Sequence, residues 1–276
     1  MNSRRDVLQL LSAASVLLAG SARSAGAPAA TNASSTGTDH DMSAMPANWM
    51  GSEQIAMVLY PGFTALDFVG PHYMMAGLMG AKVHLVASSR EPVMSDTGLA
   101  IAPTLTFAEC PRELDILFLP GGGQGTLKAM QDKTLVNWIA GRKASTKLFA
   151  SVCTGSLILG QAGLLKGKSA TSHWVARDLL SEYGAKPVNQ RVVWDGNVVT
   201  GAGVSAGIDL GIEIVNKLRD ATYAKGMQLL AEYAPQPMFN AGTPETAGTE
   251  VTAIIGSMFP SLLEQMRATA ATANKG

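Results

Sequence analysis

The run Ser151-Val152-Cys153-Thr154-Gly155 places a cysteine where an apolar stretch gives way to a helix-like one. A sulfur on such a strand-to-helix turn sits above the helix N-terminus, where free N–H groups and the helix dipole favour thiolate over thiol. The expected result is a lowered pKa and a nucleophile at neutral pH. Gly155 lets a substrate or a neighbouring backbone approach that sulfur closely. The chain has one other cysteine, Cys110, which stands before Pro111 and reads as a turn residue or small buried hydrophobe. Two cysteines in a chain of this size are not a disulfide framework, and both are taken as unpaired.

A second nucleophile motif competes. Gly203-Val204-Ser205-Ala206-Gly207 matches the G-x-S-x-G elbow of serine hydrolases. That fold needs its histidine after the serine in the chain, yet His40, His72, His84 and His173 all precede Ser205. The serine reading fails on order, which leaves Ser205 as a helix N-cap with a possible place in a pocket.

The elements that would position Cys153 follow from periodicity. Gln54 to Tyr60, Lys82 to Ala87, Asp115 to Leu119 and Lys147 to Val152 are short apolar runs that read as buried strands. Leu66 to Met79, Thr126 to Lys143, Thr154 to Leu165, Val175 to Glu182 and Ser205 to Leu218 read as helices. Their alternation predicts a mostly parallel sheet with helices on both faces. Val93 to Phe107 and Arg191 to Thr200 read as β-hairpin insertions, and Val251 to Met266 as one amphipathic helix. In such a sheet, functional groups gather past the carboxyl ends of the strands, which here means residues 61–71, 120–123, 151–155 and 201–207.

Composition agrees with an enzyme-like globular domain. The 276 residues are 47% hydrophobic, enough for a sizeable core, and 21 basic residues balance 21 acidic ones. No basic footprint for nucleic acid results, and no nucleic-acid partner is expected. The first 27 residues read as an export signal: Ser3-Arg4-Arg5-Asp6-Val7-Leu8 resembles a twin-arginine motif, Leu10 to Ala19 is apolar, and Ala25-Gly26-Ala27 offers a cleavage site. A stable membrane anchor would need about 18 to 20 continuous apolar residues, and this run is about half that. Residues 28–50 read as a flexible tether, residues 51–244 as one domain, and residues 245–276 as a C-terminal helical extension. The protein is accordingly expected in the periplasm.

Five motifs in order carry a resemblance: Leu66-Asp67-Phe68-Val69-Gly70-Pro71, Leu119-Pro120-Gly121-Gly122, Val152-Cys153-Thr154-Gly155, Ala162-Gly163-Leu164-Leu165 with Thr171-Ser172-His173-Trp174, and Gly203 to Asp209. Together they resemble the DJ-1/PfpI superfamily, and their order is most similar to its isonitrile hydratase branch. The resemblance implies a flavodoxin-like three-layer α/β sandwich with a nucleophile elbow, usually a homodimer, and an acidic residue meeting the sulfur. That residue is Glu in the better-known members and Asp67 here. A carboxyl packed beside a sulfur in an apolar pocket has its pKa pushed up and can donate a proton, although Asp67 also reads as a helix N-cap. Backbone N–H groups at Gly122 and Thr154 would form a hole for developing negative charge. Superfamily peptidases carry His directly after the cysteine; Thr154 stands there instead, so a Cys-His mechanism lacks its base. His173, Trp174 and Ser205 are candidate pocket residues, while no metal site and no cofactor are expected.

The activity so implied is a lyase-type hydration of an isonitrile, a small electrophilic substrate, to an N-substituted formamide by Cys153, Asp67 and Thr154. A glyoxalase or deglycase using the same cysteine, or a redox-responsive protein in which Cys153 oxidises, are the alternatives.

Overall fold

A computed structural model describes residues 45–273. In chain order its elements begin with β1 (Gln54–Val58), α1 (Ala65–Ala76), β2 (Lys82–Ala87), β3 (Val93–Met94), β4 (Ala100–Ile101) and β5 (Leu105–Thr106). There follow β6 (Leu114–Leu119), α2 (Gln124–Gln131), α3 (Lys133–Ala140), β7 (Thr146–Val152), α4 (Gly155–Gln161), β8 (Ser169–Ala170) and β9 (Lys186–Pro187). The chain ends in β10 (Val192–Asp195), β11 (Val198–Gly201), α5 (Ala206–Leu218), α6 (Ala221–Leu230), α7 (Pro244–Gly256) and α8 (Pro260–Ala273). The export signal expected over residues 1–27, and the tether up to residue 44, lie outside the described residues.

The main sheet has the order β10-β11-β7-β6-β1-β2-β5; β10 runs antiparallel to β11 and every other pairing is parallel. Its central strands are covered on both faces, which is why Ile55 to Val58 and Ile116 to Leu119 are unbroken apolar runs without alternation. α1, α5 and α6 make one covering layer, and α2, α3, α4 and α8 the other, so the domain is a three-layer sandwich. From β1 the chain winds outward to β2, and from β6 outward to β7 and β11 on the other side. The carboxyl ends of β1, β6 and β7 therefore flank a topological switch point, the place where such sheets bind ligands.

Several predicted elements differ in detail. The helix expected over Thr126 to Lys143 is broken at Asp132, whose backbone is extended and whose carboxylate caps α3 by accepting from the N–H groups of Thr134 (2.9 Å) and Leu135 (3.2 Å). The run from Val175 is a 3-10 helix over Arg177–Tyr183. Of the first hairpin, only β3 and β4 pair with each other, while β5 leaves to join β2 at the sheet edge. The second hairpin forms but is no insertion, since β11 pairs with β7 inside the main sheet. Pro260 and the non-helical stretch before it divide the C-terminal run into two helices, and Met266 and Ala270 of α8 are buried.

Residues 47–49, read as the end of the tether, form a 3-10 helix docked on α6: Trp49 Nε1 donates to Asp220 Oδ2 at 2.9 Å and its ring meets Tyr223 edge-on. Arg219 binds the same strap, donating from Nε to Trp49 O (2.8 Å) and pairing through Nη1 with Glu53 Oε1 at 2.5 Å, with its side chain almost wholly buried. Removing the charge of Glu53 leaves that guanidinium uncompensated. Glu53→Gln is expected to lower stability by about 3 kcal/mol in denaturant unfolding; an unchanged midpoint would show that the pair is not what holds the strap.

Candidate active site

Cys153 directly follows β7 in the left-handed region, with φ at 56°, a conformation that costs a non-glycine residue energy and persists only when its surroundings fix it. They do so from both sides. Cys153 N donates to Ala202 O (2.7 Å) and Gly201 O (3.1 Å), while Cys153 O accepts from the hydroxyls of Ser172 (3.0 Å) and Ser156 (3.2 Å). Gly155 is needed directly after the elbow because a Cβ there would lie 2.5 Å from Leu119 O and 2.6 Å from Pro120 O.

Asp67 lies in the first turn of α1 and is wholly buried. The N-cap position belongs to Thr64, whose hydroxyl donates to Asp96 Oδ2 at 2.7 Å, so Asp67 is not the cap. Asp67 Oδ2 accepts from Gly121 N–H at 2.8 Å, and the carboxyl stands near enough to the Cys153 thiol for each to shift the other's ionisation. A side chain at Gly121 would have no room, for its Cβ would fall 2.6 Å from Thr154 N and 2.8 Å from Asp67 Oδ2. Burial raises the Asp67 pKa to about 7, against the opposing pull of the Gly121 N–H and the thiol.

The thiol departs from its sequence expectation. Burial first, and then the negative charge of Asp67, push the Cys153 pKa well above that of a free cysteine, and the N–H and hydroxyl of Thr154 offset this only in part. The helix N-terminus contributes, but it acts on a sulfur that is out of water. Above pH 7 the pair therefore holds one proton, which resides on sulfur beside a carboxylate.

Gly122 also differs from expectation: its N–H donates to Thr154 Oγ1 at 3.2 Å and is therefore already engaged within the protein. Thr154 Oγ1 lies 2.7 Å from Thr126 Oγ1, which in turn lies 3.2 Å from the hydroxyl of Tyr60. No spacing rule in the sequence points to Tyr60 or Thr126, since one reads as strand filler and the other as helix surface.

Cys153 and Thr154 open onto a cavity of about 530 Å³ that His173 also lines. Its apolar wall comes from Val175, Ala176 and Val204 together with the C-terminal segment, whose Phe259, Leu262, Leu263 and Met266 no sequence motif marked. Burial lowers the His173 pKa, and its ring stands 6.4 Å from that of Phe259. Trp174 and Ser205 line a neighbouring cavity with His173. Ser205 holds the N-cap position of α5 without a capping bond, and its Oγ accepts from Arg191 Nη2 at 3.3 Å. Among the described residues no group of His, Cys, Asp and Glu is placed to hold a metal ion, and no helix is long and apolar enough to cross a membrane.

Comparison with known proteins bears on this arrangement. The sequence profile of the DJ-1/PfpI family matches residues 53–217. The chain is 46% identical over 199 residues to the isonitrile hydratase of Pseudomonas putida, covering 72% of this chain and 86% of that protein. It is 30% identical over 141 residues to the deglycase PfpI of Pyrococcus furiosus, covering 50% and 82% respectively. The crystal structure of a ThiJ/PfpI family protein from Pseudomonas syringae superposes with a TM-score of 0.80 at 53% identity, covering 83% of this chain and 94% of that one.

The sign of the coupling between the two buried groups is testable. Because the Asp67 charge raises the thiol pKa, Asp67→Asn is expected to move the pH midpoint of Cys153 alkylation by iodoacetamide down by roughly one to two units. A midpoint that rises or stays would mean the carboxyl does not bear on the sulfur.

Proposed function

The chain belongs to the DJ-1/PfpI family, and within it we propose a cysteine-dependent hydratase that adds water to an isonitrile and releases an N-substituted formamide. The observation that carries this reading is a carboxyl of pKa about 7 beside a buried thiol at the base of an apolar-walled cavity. The similarity to isonitrile hydratase supports the substrate class.

The chemistry needs one proton, the one the pair holds. Sγ of Cys153 bonds to the terminal carbon of the isonitrile while the Asp67 carboxylate takes the thiol proton and delivers it to that carbon, giving R–N=CH–S–Cys. Water then adds to the same carbon, with Asp67 moving its proton to nitrogen. Collapse of the adduct breaks the C–S bond, returns the hydroxyl proton to sulfur through Asp67, and frees R–NH–CHO. The N–H and hydroxyl of Thr154, next to the sulfur, favour its charged form. Asp67 is the base, so the absence of His after Cys153 is no obstacle, and His173, held neutral by burial, forms part of the wall.

A deglycase-like activity is the second reading, supported by the similarity to the Pyrococcus protein and by the same nucleophile. The protein is further proposed to act as an exported homodimer. The signal-like residues 1–27 support export, and exposed Leu66, Val69 and Tyr73 along α1 support a partner surface.

One experiment addresses these points. Protein recovered from the periplasmic fraction, and sized by light scattering, is assayed for formamide release from small and bulky isonitriles and for methylglyoxal loss. Cys153→Ala and Asp67→Asn are expected to lose formamide release by at least about a thousandfold, and Phe259→Ala to lose roughly tenfold in kcat/KM on the bulky isonitrile only. Methylglyoxal loss without formamide would replace the hydratase by the deglycase reading. A monomer would refute the dimer, and protein confined to the cytoplasm would refute export.

A further inference from the structure

Hydroxyl groups run in a chain from the sheet to the elbow. Tyr60, just past β1, donates its phenolic hydrogen to Pro120 O at 2.7 Å, and its oxygen lies 3.2 Å from Thr126 Oγ1. Thr126 Oγ1 lies 2.7 Å from Thr154 Oγ1, which also accepts the N–H of Gly122. Tyr60, Thr126 and Thr154 are all buried. Burial and the Asp67 charge keep the Tyr60 phenol from ionising, so it retains the hydrogen it gives to Pro120.

Each hydroxyl has one hydrogen, and they can be counted. The bonds from Tyr60 to Pro120 and from Gly122 to Thr154 are fixed. In one arrangement Thr126 donates to Tyr60 and Thr154 donates to Thr126. In the other Thr126 donates to Thr154, whose hydrogen is then free for the sulfur of Cys153, the preceding residue and its neighbour on the cavity wall. Both arrangements make the same number of hydrogen bonds, so the state of the sulfur decides between them. A neutral thiol is a weak acceptor and favours the first; a thiolate is a strong one and favours the second.

We propose that Tyr60 and Thr126 are positioning residues of a two-state hydroxyl relay, which turns the Thr154 hydrogen onto Cys153 Sγ when the sulfur carries charge and away from it when the thiol is protonated. No proton changes owner in the relay; hydroxyls rotate. It acts on the nucleophile whatever the substrate, so it stands or falls apart from the isonitrile reading. The titratable groups around the sulfur are Asp67 from α1, Asp96 between β3 and β4, Lys128 on α2, His173 after β8, and Tyr60 itself; the C-terminal segment presents apolar side chains to the cavity.

The test is the pH dependence of Cys153 alkylation by iodoacetamide, read on the Cys153 peptide by mass spectrometry so that Cys110 does not interfere. Tyr60→Phe removes the acceptor of the first arrangement and commits Thr154 to the sulfur. Its midpoint is expected to fall by roughly half to one pH unit, the worth of one neutral hydrogen bond. Thr126→Val, which also denies Thr154 its other acceptor, should fall likewise and serves if Tyr60→Phe does not fold. Thr154→Val should rise by roughly one to two units, the worth of a hydrogen bond to a charged group, with Thr154→Ser restoring the wild-type midpoint. In the Thr154→Val background, Tyr60→Phe should change nothing. A Tyr60→Phe shift that persists there, or Tyr60→Phe and Thr154→Val midpoints that move in the same direction, would overturn the relay.

Discussion

A carboxyl and a thiol are held together out of water, and the rest of this structure is arranged around that pairing. A buried carboxylate is costly: with its pKa raised from 3.8 to about 7, Asp67 withdraws on the order of 4 kcal/mol of stability above pH 7, a cost absent below the ordinary carboxylate range, where it is protonated folded or unfolded. One bond from Gly121 N–H and the contact with Cys153 offset part of it, and they leave Oδ1 buried without a settled partner. A group kept so incompletely satisfied is poised to take and give a proton near neutral pH.

Geometry is supplied by the ends of parallel strands. β6 ends in the Pro120-Gly121 turn that reaches Asp67, β7 ends in the strained elbow at Cys153, and β11 provides carbonyls that pin the elbow from the side. A side chain has no room at Gly121, where a Cβ would press on Thr154 and Asp67, or at Gly155, where α4 begins against the carbonyls of Leu119 and Pro120. The cavity above is lined in part by the C-terminal segment, which lies beyond the residues matched by the family profile. Part of the apolar wall thus comes from a stretch of chain separate from the reacting centre.

Much of this was legible in the sequence because it rests on local rules. An apolar run ending in Val-Cys-Thr-Gly announces an elbow, and alternation of strand-like and helix-like runs announces a covered parallel sheet. What escaped depends on three-dimensional surroundings. The helix N-terminus argues for a low thiol pKa, but burial and the Asp67 charge outweigh it, and neither is visible from position 153 alone. Gly122 reads as an open donor because nothing in a Gly-rich turn says where its N–H points. The break at Asp132 had a readable cause, an aspartate able to cap α3, but helical periodicity on either side masked it. Tyr60 and Thr126 carry no motif, and their place beside Thr154 arises only when β1, α2 and the elbow come together.

The chemistry of the pair turns on the ionisation of one side chain. Measuring it directly means titrating the Asp67 side-chain carboxyl carbon by NMR in selectively labelled protein, with Asp67→Asn identifying the signal. A midpoint near pH 7 is predicted. A midpoint near 4, the ordinary value for an exposed aspartate, would mean that Asp67 is not held as a neutral-pH acid and base beside Cys153, and would contradict the account.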